Sequence, residues 1–110
     1  MSNKFYTNVF EVVQLIPKGR ATSYGAIAKY LGAARSSRLV GYAMNISHGI
    51  SPAIAAHRVV NRNGLLTGKT HFHPPESMQE KLEKEGIKVE DDQIQDWDTI
   101  FWDPSIHLAL

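Results

Sequence analysis

Five histidines, His48, His57, His71, His73 and His107, are the side chains of this 110-residue chain best suited to proton transfer or metal ligation near neutral pH, and no cysteine accompanies them. His71 and His73 form a His-x-His pair, but no cysteine or carboxylate stands at ligand spacing, so no metal site is expected. Gly68-Lys69-Thr70 imitates the end of a phosphate-binding loop, yet the glycine required five residues earlier is Asn63, and Pro74 and Pro75 delay the helix that should follow. Gly49-Ile50-Ser51-Pro52-Ala53 ends in alanine where a nucleophile elbow needs glycine. The lack of cysteine excludes disulfides, thiolate ligands and a thiol nucleophile. No cofactor is expected.

Any of these groups needs a frame to hold it, and the apolar spacing describes one. Phe5, Val9, Val12, Val13 and Ile16 recur at helical period until Pro17 and Gly19 interrupt them, which predicts a first helix. Thr22 or Ser23 is placed to cap a second helix that carries Ile27 and Leu31 on one face and stops at Gly32. Ser36 or Ser37 caps a third, with Val40, Ala43, Met44 and Ser47 on one side. Two short helices joined by so brief a link predict a helix-turn-helix.

From Ser47 to Ala56 the chain is rich in Gly, Ser, Pro and Ala and reads as a loop. Val59-Val60 and Leu65-Leu66-Thr67 flank the Asn63-Gly64 turn signal and are expected to pair as a hairpin. Pro74 and Pro75 open a helix running to about Glu85, with Met78 and Leu82 inward and Gly86 just past its end. Trp97, Phe101 and Trp102 are expected to fold back on the body. The fold class is therefore mainly α: a winged-helix-like helix-turn-helix domain with a short β-hairpin.

Length bounds the organisation to a single domain over residues 1–110. No apolar run approaches the roughly 18 residues of a membrane span, and the opening Met-Ser-Asn-Lys-Phe-Tyr lacks a secretory signal, so a cytoplasmic protein is expected, at the nucleoid or in the nucleus. The net charge of +1 conceals an asymmetry. Residues 1–72 carry nine Lys or Arg against Glu11 alone, a net +8, whereas residues 73–110 carry three lysines against ten acids, a net −7. A polyanion would meet the first two thirds of the chain and avoid the last.

Four stretches make the reading specific: Ile16-Pro17-Lys18-Gly19-Arg20, Thr22-Ser23-Tyr24-Gly25-Ala26-Ile27-Ala28, Arg38-Leu39-Val40-Gly41-Tyr42-Ala43-Met44, and His57-Arg58-Val59-Val60 with Asn63-Gly64. In this order and spacing, over roughly residues 5 to 88, the chain resembles the DNA-binding domain of the O6-alkylguanine-DNA alkyltransferases, leaving an acidic, aromatic tail over about 89–110. In that family the hallmark reads Pro-Cys-His-Arg-Val, and the cysteine takes the alkyl group from guanine in one irreversible transfer. Here the same positions read Ala55, Ala56, His57, Arg58 and Val59. A methyl group cannot accept an alkyl group and no other cysteine can substitute, so transfer to sulfur is excluded.

The resemblance accordingly implies an alkyltransferase-like protein: not an enzyme, but a monomeric reader of O6-alkylguanine in duplex DNA that flips the base and marks it for nucleotide excision repair proteins. It implies that Tyr24 pushes the backbone phosphate as the base rotates out and that Arg38 fills the emptied stack, with Ser23, Arg35 and Gly41 on the same DNA face. The residues agree to this extent: Arg38 follows a serine cap at the start of the third helix, where a side chain projects outward. The implied lesion pocket comprises Tyr24, Ala55, Ala56, His57, Arg58, Val59 and Lys69, with Lys69 as a donor to the lesion oxygen. Ala56 stands where such proteins often have Trp, and Ala55 where Pro is usual, which makes the pocket floor smaller. His57 and Glu85 occupy the places of the pair that activates the family's cysteine and are read as retained hydrogen-bond partners. Two other classes remain open: a hydrolytic enzyme using His57, and a helix-turn-helix regulator reading undamaged sequence.

Overall fold

The computed structural model describes residues 4–50 and 54–108; Ser51-Pro52-Ala53 of the expected loop lie outside the described residues. The first helix, α1 (Lys4–Leu15), buries Val9, Val12 and Val13, and Ile16 continues that face into the turn beyond it. The second, α2 (Tyr24–Tyr30), starts at Ser23, whose Oγ accepts the Ala26 N–H at 3.1 Å. It ends in paired bonds from Gly32 N–H to Lys29 O (3.0 Å) and from Ala33 N–H to Ala28 O (2.8 Å), the Schellman closure. The third, α3 (Ser37–Ser47), turns Val40, Ala43, Met44 and Ser47 inward as its spacing predicts. It packs against both α2 and α1, so the expected helix-turn-helix is formed.

The strands depart from expectation. A 3-10 turn, Ala56–Arg58, leads into β2 (Val59–Val60), which pairs in parallel with β1 (Thr22–Ser23), Thr22 opposite Val59 and Ser23 opposite Val60. Val59 and Val60 do not pair with Leu65-Leu66-Thr67. The Asn-Gly turn does form: Gly64 N–H donates to Asn61 O at 2.9 Å, and Asn61 Oδ1 accepts from Asn63 and Leu65 N–H. Beyond it the chain turns toward the acidic segment, with Leu65 bridging Gln93 and Leu66 N–H on Asp92 O at 2.8 Å. All four residues of β1 and β2 are buried. Such a pair sits inside the core, where a solvent-facing hairpin would not.

The antiparallel hairpin of the fold is instead β3 (Val89–Glu90) with β4 (Gln93–Ile94). Asp91 and Asp92 between them both take positive φ, 52° and 61°, as a two-residue turn matched to strand twist requires. Ahead of it, α4 (Glu76–Lys84) buries Met78 and Leu82 and ends at Gly86, whose φ of +88° suits glycine. Ile87 N–H then closes on Leu82 O at 3.1 Å, and both side chains are fully buried.

The last third docks on the body. Ala21 bridges Phe101, Trp102 N–H donates to Ala21 O at 2.8 Å, and the Arg20 guanidinium binds the carbonyls of Ile100 and Phe101. Short helices α5 (Trp97–Ile100) and α6 (Pro104–His107) complete the chain, and Trp102 is core. The aromatics fold back as expected, and the fold is mainly α. Among the described residues no helix is long and apolar enough to cross a membrane.

Candidate nucleic-acid interface

An open cavity of about 380 Å³ lies where α2 and α3 meet the segment after Leu66. Tyr24 enters it from the first position of α2, fixed there by the Ser23 cap. Arg38, exposed in the first turn of α3, forms a second side, followed along the helix by Gly41, Tyr42 and Asn45. These four lie at i, i+3, i+4 and i+7, one face of one helix. Thr67, Gly68 and His71 close the opposite wall. The Tyr24 hydroxyl shares a hydrogen bond with the Thr67 side chain, while burial raises the phenol above its ordinary value of 10.0, so it keeps its proton at neutral pH. Gly68 leaves room for the tyrosine: a Cβ on it would stand 2.8 Å from the Tyr24 hydroxyl, which would have to move.

The electrostatics of this opening favour an anion. The N–H groups at the start of α3, which the Ser36 side chain does not cap as expected, carry partial positive charge, and Arg38 and Arg35 add full charges, both exposed. Polyanion backbone, not a neutral small molecule, is what such an edge attracts.

A second cluster joins three segments distant in sequence. Glu85 sits at the C-cap of α4, and its carboxylate accepts from the Arg58 guanidinium at 2.8–3.1 Å, from Gly19 N–H at 3.0 Å and from His57 Nε2 at 2.7 Å. Arg58 also donates to Ile16 O at 2.8 Å, which ties the end of α1 to the same knot. Burial raises the Glu85 carboxyl, but the bonds from Arg58, Gly19 and His57 outweigh it and hold the group down at about 2. His57 moves below its ordinary 6.5 because burial and the charges of Arg58 and Lys81 exceed the pull of Glu85. The neutral ring donates Nε2–H to the carboxylate, which leaves Nδ1 as an acceptor. This is a structural clamp whose histidine engages one of its two ring nitrogens among the described residues.

The structure thus brings Tyr24, Arg38 and Gly41 around one cavity and places Ser23 beneath Tyr24 as its cap. Arg35 lies outside on the α2–α3 link, and Val59 is buried in the parallel pair. Ala55 and Ala56 are not among the residues lining the cavity; Ala56 is 6% exposed and belongs to the core cluster, because the 3-10 turn directs it inward. Lys69 is not among the residues lining the cavity. Its ammonium pairs with Asp92 of the β3–β4 turn, so it is His71, on the same wall as Gly68, that faces the cavity. Tyr42, Asn45 and Thr67 were not singled out from the sequence. The first two could have been, since helical spacing from Arg38 marks them.

Comparison with known proteins accords with this geometry. Residues 4–87 match the family described as 6-O-methylguanine DNA methyltransferase, DNA binding domain. The chain is 33% identical over 87 residues to alkyltransferase-like protein 1 of Schizosaccharomyces pombe, covering 79% of this chain and 80% of that protein. It is 35% identical over 88 residues to a DNA base-flipping protein of Vibrio parahaemolyticus, covering 79% and 84% respectively. The crystal structure of S. pombe Atl1 in complex with damaged DNA containing O6-carboxymethylguanine superposes with a TM-score of 0.82 at 30% identity, over 94% of this chain and 99% of that one. With a matching family domain, relatives that span most of its length, and no cysteine among its residues, the chain belongs to the 6-O-methylguanine DNA methyltransferase family as an alkyltransferase-like member.

Proposed function

We propose that this protein recognises O6-alkylguanine in duplex DNA by rotating the base out of the stack, holds it without removing the alkyl group, and marks it for nucleotide excision repair. The observation that carries the reading is the cavity, where a half-buried, protonated tyrosine and an exposed arginine from adjacent helices meet in a chain that has no thiol. The relatives support it, one being named a base-flipping protein and another having been crystallised on O6-carboxymethylguanine DNA. In this mechanism α3 lies along the duplex, Tyr24 presses on the phosphate at the flipped nucleotide and Arg38 replaces the base in the stack. Unstacking costs a few kcal/mol, least for a damaged base, which gives the reader its preference. His57, Arg58 and Glu85 keep the Ala55–Val59 turn rigid beside the extruded base.

Competition binding against methylated, bulky-alkylated and undamaged guanine duplexes tests the reading, with intact mass measured on protein and oligonucleotide after incubation. Tighter binding of the alkylated duplexes with both masses unchanged is expected. An alkyl adduct on the protein or dealkylated guanine in the duplex would overturn it. Sequence preference without lesion preference would instead favour a regulator.

Gly68→Ala provides a local check. The new methyl would push the Tyr24 hydroxyl from its place, since the two would approach to 2.8 Å. Lesion affinity is expected to fall roughly tenfold, about 1.4 kcal/mol, while thermal stability changes by less than about 1 kcal/mol. Unchanged affinity in the folded variant would remove Tyr24 from the flipping step.

A further inference from the structure

Beside the cavity, which His71 lines, a group of basic side chains surrounds one buried ring. Phe72 is 5% exposed, and the imidazole of His48, at the C-terminal end of α3, meets it edge-on at 4.4 Å between centroids. The Lys81 ammonium, from α4, stands 5.7 Å from the same ring. His71 and His73 flank Phe72 in sequence, and all four basic side chains are exposed. Three separate elements therefore converge on Phe72, each delivering a cation or a group that can become one.

We propose that His48, His71 and His73, with Lys81, form a phosphate-binding patch that grips the DNA backbone next to the cavity. Among the described residues none of the four makes a salt bridge, and no three His, Asp or Glu side chains are grouped as metal ligands, so an anion is the complement this arrangement lacks. Continuity gives the anion its identity: His71 lines the same cavity as Arg38, so the patch adjoins the surface assigned to the DNA backbone. The groups facing His48 are Lys81 from α4 and His71 and His73 from the segment ahead of it. Burial, and then those charges, lower the His48 imidazole below 6.5 in the free protein. A phosphate seated among them reverses the sign of that field, and the His48 imidazole takes up a proton as DNA binds.

The inference rests on the DNA-binding reading above, and the experiment separates the two. Affinity for alkylated and undamaged duplexes is measured by fluorescence anisotropy on the wild-type protein, on a His48→Gln/His71→Gln/His73→Gln variant and on Lys81→Gln, each first shown to be folded by circular dichroism. Wild-type affinity for both duplexes is expected to rise at least about tenfold between about pH 8 and about pH 6, since each proton taken up adds up to tenfold per pH unit. The triple variant should change less than about threefold over the same range, and Lys81→Gln should make the log–log salt slope shallower by about 0.9. Should the triple variant not fold, the single exposed change His48→Gln should lose most of the dependence. Lesion preference with no pH dependence, or a dependence that persists in the folded histidine variants, overturns the patch and leaves lesion reading intact. Equal binding of both duplexes that still tightens in acid supports the patch and overturns lesion reading.

Discussion

Glu85→Ala is expected to destabilise the protein by about 3 kcal/mol, because it leaves the largely buried Arg58 guanidinium with the Ile16 carbonyl but without its ion-pair partner. The Glu85 side chain is 9% exposed and that of Arg58 17%, and the carboxylate also satisfies Gly19 N–H and His57. For a domain of this size a loss of about 3 kcal/mol lowers the melting temperature by roughly 12–24 °C. Glu80→Ala, exposed on the preceding helix, should shift it by no more than about 0.5 kcal/mol. Differential scanning calorimetry of both variants decides the matter, and an Glu85→Ala midpoint within a few degrees of wild type would remove the clamp from this account.

The same carboxylate sets an acid limit. Its folded pKa of about 2 lies below the ordinary 4.5, so its contribution is complete above about pH 4.5 and disappears as the pH falls toward 2. His57 acts in the same direction: a ring depressed in the fold resists protonation that the unfolded chain accepts below 6.5. The stability gap between wild type and Glu85→Ala should therefore close across the carboxylate window. Constancy of that gap down to pH 2 would contradict the assignment.

What the sequence could reveal follows from which interactions are local. The three helices of the basic segment and α4 carry their own signals, an apolar stripe, a serine cap at Ser23 and terminal glycines at Gly32 and Gly86, and the structure places them within a residue or two of expectation. The parallel pairing of Thr22-Ser23 with Val59-Val60 was invisible, because it joins residues more than thirty apart and a two-residue buried strand has no alternation to read. The Asn63-Gly64 signal was genuine as a turn and misleading as a hairpin: a turn fixes chain reversal but not the partner of the returning strand. Asp91-Asp92 hid the true hairpin, since aspartate tolerates positive φ without announcing it as glycine does. The ion pair of Lys69 was hidden for a related reason, its partner Asp92 being supplied by that unseen hairpin.

Division of labour between cavity and clamp gives the last expectation its logic. The clamp holds the Ala55–Val59 turn, and nothing in it has an exposed cation to offer DNA, whereas Arg38 is exposed, unpaired among the described residues and set on the cavity rim. Arg38→Ala is therefore expected to weaken lesion binding by about 2 kcal/mol, roughly thirtyfold, with melting temperature unchanged, because the side chain offsets part of the few kcal/mol spent in unstacking the base. A phosphate contact alone would account for less, about 1 kcal/mol or under at moderate salt. Arg38→Lys separates the two roles: it keeps the charge but loses the flat guanidinium that can stack between bases, so it should remain close to Arg38→Ala. Arg35→Ala, which removes an exposed charge outside the cavity, should cost only the smaller amount. Measured side by side on alkylated and undamaged duplexes, an Arg38→Lys variant that binds like wild type would reduce Arg38 to a phosphate contact and leave the flipped state without the group proposed to fill the gap.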